Sequence, residues 1–158
     1  MKKSLFLLIL ITALFSSGCK SEASQDIPPS YDISKADEYM VSVAEESDRI
    51  KNYLKDKAIT QTDMNEKSQE LYQLWDSALN YLWSELKTHL PEEEFASLQG
   101  EQIAWIAAKE AAAEEAGKGF EGGSIYPLLV NSEAARLTEA RAYELYTLLE
   151  ALSSGDSK

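Results

Sequence analysis

Apolar residues recur every three or four positions along much of the chain, as they do on one face of an amphipathic α-helix. A first stripe of apolar positions covers residues 36–54, and a second covers residues 64–86. Ser34 precedes the first stripe, and Thr60 and Thr62 are two candidate caps before the second, because serine and threonine commonly cap the N-terminus of a helix. The pattern therefore predicts two consecutive helices, each with one apolar face. Trp75 lies on the second stripe and is predicted to belong to the core.

Two further helices follow from start and stop signals. Pro91 and the three glutamates after it form a strong helix start, because acidic groups stabilise the positive end of the helix dipole. This third helix runs through an alanine-rich stretch and ends at Gly117, and a fourth stripe covers residues 128–152. No stretch alternates with period two over enough residues to propose a strand. The sequence therefore predicts an all-α, four-helix bundle-like domain over residues 34–152.

The first 18 residues have the layout of a secretory signal peptide. Lys2 and Lys3 precede an apolar run at residues 5–15, which is shorter than the ~20 residues that a membrane-spanning helix needs. The only cysteine, Cys19, directly follows Ser-Ser-Gly, which is similar to a bacterial lipobox. Cys19 would then carry a lipid and become the first residue of the mature, membrane-anchored chain. The alternative is a secreted protein with an unpaired thiol.

Residues 19–33 are polar, contain two prolines and show no periodicity. They are predicted to form a flexible tether between the lipid and the domain, and residues 153–158 a disordered tail. Removal of residues 1–18 takes away two lysines and no acids, which changes the formal charge from −12 to −14.

Composition excludes several classes of function. Clustered cations are needed to bind nucleic acid, and 27 acids against 15 Lys and Arg argue against it. One cysteine and one histidine exclude an internal disulfide and argue against a structural zinc site. His89 has no nucleophile arranged near it, and the acids at 92–94 point around the helix rather than to one ion. We expect no enzymatic activity, no cofactor and no metal.

Seven residues form a candidate polar set shared by the last three helices: Asp76, Asn80, Gln102, Trp105, Lys109, Thr138 and Arg141. One interpretation is a satisfied internal network, in which Asp76 accepts hydrogen bonds from Lys109 or Arg141 and which fixes the packing. The other is a ligand pocket between helices. We favour the network.

A glycine-rich segment at residues 117–124 separates the third and fourth helices. It lacks the Gly-Lys-Ser/Thr ending of a phosphate-binding loop. It is either a connection whose glycines supply positive φ angles or a protruding recognition loop. In the second case its candidate partner-binding residues are Lys118, Phe120, Glu121 and Ser124.

Five short motifs follow one another along the chain: Thr60-Gln61-x-x-Met64-Asn65, Asp76-x-x-Leu79-Asn80, Gln102-x-x-Trp105-x-x-x-Lys109, Gly122-Gly123-Ser124-x-x-Pro127 and Leu137-Thr138-x-x-Arg141-x-x-x-Leu145. In this order they resemble the LprI-type lysozyme-inhibitor family of bacterial envelope proteins, over residues 58–150. The resemblance implies a small helical domain that is exported, is often lipid-anchored, and binds and inhibits lysozyme.

The chain also departs from that family. Members often have cysteine at the positions of Lys67, Ala113 and Glu133, and arginine at that of Lys109. The family's cystine framework is therefore absent. Because Lys67 and Glu133 carry opposite charges, we hypothesise that they pair across the second and fourth helices.

The sequence thus predicts an exported lipoprotein that binds lysozyme or another muramidase and occludes its cleft. A charge of −14 would steer it toward strongly basic animal lysozymes, although an acidic surface also simply keeps a protein soluble. The alternative is an envelope scaffold or adaptor whose acidic helices bind another protein without inhibiting it.

Overall fold

The computed structural model of the chain describes residues 31–58 and 60–154. Four helices are present: α1 (Ser34–Asp56), α2 (Gln61–His89), α3 (Glu92–Gly117) and α4 (Tyr126–Ser154). This part of the chain contains no strand, which confirms the predicted all-α, bundle-like fold. The predicted signal peptide, Cys19 and most of the tether lie outside the described residues.

The helix ends follow local chemistry. Of the two candidate caps of α2, Thr60 takes the role, because its Oγ1 accepts a hydrogen bond from the backbone N–H of Asp63 at 3.1 Å, and Thr62 lies within the helix. Ser34 does not cap α1, and that prediction was wrong. Ser34 is instead the first residue of α1, and its backbone N–H donates to the carboxylate of Asp32 at 3.1 Å. Asp32 thus satisfies one of the amide groups that a helix start leaves unpaired.

The core lies mainly between α2 and α4, the two helices with the most extensive contact. Leucines and alanines of both helices meet there, and α1 packs against the same core with Met40, Val43 and Ile50. Trp75 is fully buried, as predicted, and its indole N–H donates to Oγ of the buried Ser47 at 3.1 Å. The indole N–H is therefore satisfied by α1 while the ring fills the core.

Both chain ends of the domain extend slightly beyond the predicted limits. Tyr31 and Ile33, at the end of the predicted tether, pack against the core. At the other end α4 includes Ser153 and Ser154, which the sequence assigned to a disordered tail.

Helix α3 is peripheral. It packs principally against α4, and its contact with α2 is sparse enough to leave a groove between the two. At its C-terminal end α3 approaches α4 very closely, since a Cβ atom at Gly117 would lie 2.5 Å from the ring of Tyr126. Glycine is therefore required at the point where the two helices touch.

The chain enters the bundle at one end and turns from α3 to α4 at the other. At the entry end the hydroxyl of Tyr31 donates to Glu85 at 2.9 Å. At the opposite end Asn65 contacts Ser124, in the connection between α3 and α4. Asn65 and Glu85 lie near opposite ends of α2, about 30 Å apart at a helical rise of about 1.5 Å per residue. Residues 118–125 are therefore far from the point where the chain enters, and we call them the distal loop.

The hypothesised pair between Lys67 and Glu133 is not formed. Lys67 pairs with Glu70 and Glu133 with Arg136, each three residues away on the same helix. Each charge has an opposite charge within reach on its own helix surface. Among the described residues, none of the helices combines the length and the apolar character that crossing a membrane requires.

Candidate functional site

A groove of about 300 Å³ lies between α2 and α3. Five of the seven residues in the predicted polar set line it: Asp76 and Asn80 from α2, and Gln102, Trp105 and Lys109 from α3. Apolar side chains complete its walls, and these include Trp83 on α2 and Ile103 and Ile106 on α3. The groove therefore combines hydrogen-bonding groups with aromatic and aliphatic surface, as ligand and partner sites commonly do.

The polar groups of the groove pair differently from the network that the sequence predicts. Asp76 accepts a hydrogen bond from its neighbour Asn80 at 3.2 Å, rather than from Lys109 or Arg141. The buried ammonium of Lys109 donates to the hydroxyl of Tyr72 at 3.0 Å. It also lies 5.4 Å from the centre of the Trp105 ring, within the range of a cation–π contact. Aromatic side chains therefore hold this lysine, and it forms no ion pair among the described residues.

Arg141, on α4, contacts Gln102, on α3. Its Nε donates to the side-chain oxygen of Gln102 at 2.9 Å, and its Nη1 donates to Glu144 at 2.8 Å. Its Nη2 is buried without a hydrogen-bond partner. The bond from Arg141 fixes the amide of Gln102, so that its NH₂ group is left for another partner. Thr138 lies apart from the groove and donates to the carbonyl of Ala134 within α4.

The distal loop is a compact turn. Gly119 and Gly122 have φ angles of 84° and 76°, which confirms that glycines supply positive φ here. The carboxylate of Glu121 accepts from the N–H of Gly119 at 2.9 Å. Hydrogen bonds from its own backbone N–H and from that of Gly119 hold the pKa of the Glu121 carboxyl below its usual value. Lys118 pairs with Glu115 at 2.9 Å, and Phe120 stands 50% exposed.

Asn65 fixes the distal loop to α2. Its side-chain N–H donates to the backbone carbonyl of Ser124 at 2.8 Å, across 59 residues of sequence. Gln61 in turn donates to the side-chain oxygen of Asn65 at 2.9 Å and so orients its amide. Ser124 thus acts here through its main chain, and no sequence signal connects it to Asn65.

Replacing Asn65 by alanine should remove the bond to the loop and lower the free energy of unfolding by about 1 kcal/mol. We also expect faster hydrogen exchange at the amides of residues 118–125, because the loop loses its connection to α2. Urea unfolding and exchange measured by mass spectrometry would show the two effects.

Ser124→Ala is the matched control, because it keeps the backbone carbonyl that accepts the bond. It should leave both the unfolding free energy and the loop exchange rates near those of the unaltered protein. Equal losses in the Ser124 and Asn65 variants would contradict the role assigned to this bond.

The described residues do not bring together three or more His, Cys, Asp or Glu side chains in an arrangement that could hold a metal ion. The two candidate partner-binding surfaces are the groove between α2 and α3 and the distal loop. The sequence analysis singled out the loop and five of the groove residues, but the presence of an open groove depends on how far α3 lies from α2.

Four helices, a groove lined by tryptophan and a loop fixed at one end define a small all-α domain. A family model described as lysozyme inhibitor LprI matches residues 55–145, which include α2, α3, the distal loop and most of α4. The chain therefore belongs to the LprI lysozyme-inhibitor family, as the order of its motifs predicted. No match to the chain was found among curated proteins or among solved structures.

Proposed function

We propose that this protein inhibits lysozyme, or another muramidase, by binding to it in the cell envelope. The observation that carries the proposal is the family match, which covers more than half of the chain. The proposed location rests on the signal-peptide pattern and on Cys19, whose lipid would hold the domain at a membrane. The proposal involves no catalytic step and no cofactor.

Charge supports the choice of partner. The full chain carries a formal charge of −12, and animal lysozymes are strongly basic. Opposite net charges accelerate the diffusional encounter of two proteins and orient them as they approach. Attraction alone is not specific, however, so inhibition also needs a surface that fits the enzyme.

We further propose that the distal loop enters or covers the muramidase cleft. Its conformation is fixed by two glycines and by Asn65, so little conformational entropy would be lost on binding. Phe120 offers an exposed aromatic ring for contact, and Lys118 offers a cation to the acidic groups of a muramidase active site. Glu121 and Ser124 lie beside them in the same turn.

The test is a turnover assay with a c-type lysozyme, into which the purified full chain is titrated in mild detergent. We expect inhibition that saturates near one molecule per enzyme and persists at about 150 mM salt, where long-range charge attraction is largely screened. No inhibition, or inhibition that salt abolishes, would contradict the proposal. Saturable binding without any effect on turnover would indicate the adaptor function instead.

Lys118→Glu tests the contribution of the distal loop. This change should weaken inhibition strongly, whereas Lys20→Glu in the predicted tether makes the same change in net charge and should have little effect. Equal effects of the two variants would remove the loop from the contact, because only the shared charge change would then matter.

A further inference from the structure

Helix α3 buries two long polar side chains and leaves two isoleucines exposed to solvent. The residues that it buries include Gln102 and Lys109, while Ile103 is 64% exposed and Ile106 is 39% exposed. A surface helix in a bundle normally turns its apolar stripe to the core and its charged side to water. Helix α3 follows the rule for its glutamates, which are exposed, but departs from it at Lys109, Ile103 and Ile106.

The exposed isoleucines continue into the groove. Ile103 and Ile106 line it together with the half-buried rings of Trp83 and Trp105, and we call these four residues the Trp–Ile surface. Tryptophan is among the residues that contribute most to binding energy at protein interfaces. An apolar cluster of this kind, bordered by polar groups, is typical of an interaction site.

The acidic residues of α3 favour a basic partner for the Trp–Ile surface. Helix α3 carries seven glutamates and one lysine, and that lysine is buried. Two copies of the chain meeting through α3 would therefore bring acidic helices together, which costs energy. A basic protein would place cations against the same glutamates while its apolar groups cover the isoleucines.

We propose that the Trp–Ile surface is the main docking surface for the basic muramidase, and this rests on the proposed function above. The floor of the groove adds specificity, because Asp76 has one carboxylate oxygen unused by Asn80 and can accept a hydrogen bond from a lysine or arginine of the enzyme. The surface supplies affinity, and the distal loop supplies occlusion of the cleft.

The double variant Ile103→Gln, Ile106→Gln tests the surface in the full chain. Both side chains are exposed, so the fold should be kept, and unchanged helical circular dichroism would verify that. We expect the Kd for a c-type lysozyme, measured by calorimetry at moderate salt, to rise by roughly 10- to 100-fold. Val41→Gln, at a 59% exposed valine on α1, is the matched control and should change the Kd by less than about twofold.

Two charge variants at Ile103 show whether the partner surface is basic or acidic. Ile103→Lys should weaken lysozyme binding more than Ile103→Glu, because it loses the apolar contact and also repels a basic surface. A second copy of this acidic chain would give the reverse order, detectable as self-association in sedimentation experiments, and that result would overturn the proposal. If the unaltered chain inhibits lysozyme and the double variant inhibits it equally well, the surface is wrong and the proposed function stands. If the unaltered chain neither binds nor inhibits, both fail.

Discussion

Replacing Trp75 by alanine should lower the free energy of unfolding by about 3–5 kcal/mol, the usual cost of removing a large buried side chain. The ring is fully buried between α1, α2 and α4, and the substitution also leaves the buried hydroxyl of Ser47 without its donor. Because single domains are typically stable by about 5–15 kcal/mol, the variant should unfold at a much lower urea concentration. Urea titration followed by circular dichroism measures this directly.

Trp83→Ala is the matched control, because it removes the same side chain from a half-buried position in the groove. It should cost clearly less, since Trp83 keeps part of its surface in water in the folded protein. Trp75→Phe should fall between the two, because phenylalanine fills most of the space but leaves Ser47 unpaired. Equal losses for Trp75 and Trp83 would show that α2 does not pack as described.

Gly117→Ala should destabilise the domain by about 1–3 kcal/mol, as overpacking in a close-packed contact usually does. The added Cβ would lie 2.5 Å from the ring of Tyr126 and 2.8 Å from a methyl of Val130, so α3 and α4 would have to separate. The same separation would displace the distal loop, which begins at the next residue. Inhibition of lysozyme should therefore weaken together with the unfolding free energy.

Gly100→Ala makes the same chemical change elsewhere on α3. A Cβ at Gly100 meets nothing within 4 Å, and alanine is favoured over glycine inside a helix by about 1 kcal/mol. Gly100→Ala should therefore stabilise the domain slightly. The opposite signs of the two effects test whether the loss at Gly117 comes from the contact with α4 or from helix propensity.

Periodicity predicted the helices, and the buried faces of α1 and α2, because both depend on the spacing of apolar residues along the chain. Trp75 illustrates this, since its place on the second stripe was enough to put it in the core. Thr60 illustrates the same for helix starts, because a cap depends on a residue type and a short spacing. The assignment of Ser34 as a cap failed because Asp32, two residues earlier, takes that role.

The sequence grouped Gln102, Trp105 and Lys109 of α3 in one polar set, but it did not show that the isoleucines would lie outside the core. The many alanines of α3 suit either face, so the positions of Ile103 and Ile106 did not decide which side meets α4. Only the packing shows that Lys109 is buried against Tyr72 and Trp105 while the isoleucines face solvent. The sequence grouped five of the groove residues as a network or a pocket, but how those groups pair follows from the packing.

The most extensive contact in the domain joins α2 to α4, with α3 and the distal loop between them in the chain. Helix α1 can cover part of α2 early, but the side of α2 that faces α4 has no cover until α4, as far as Leu149, has been synthesised. Local helix formation can begin earlier, but closing the core requires two distant segments to meet, which slows folding relative to a bundle of sequential neighbours. A chain cut off within α3 would retain helix-forming segments and leave the apolar residues of α2 that α4 normally covers exposed to aggregation and proteolysis.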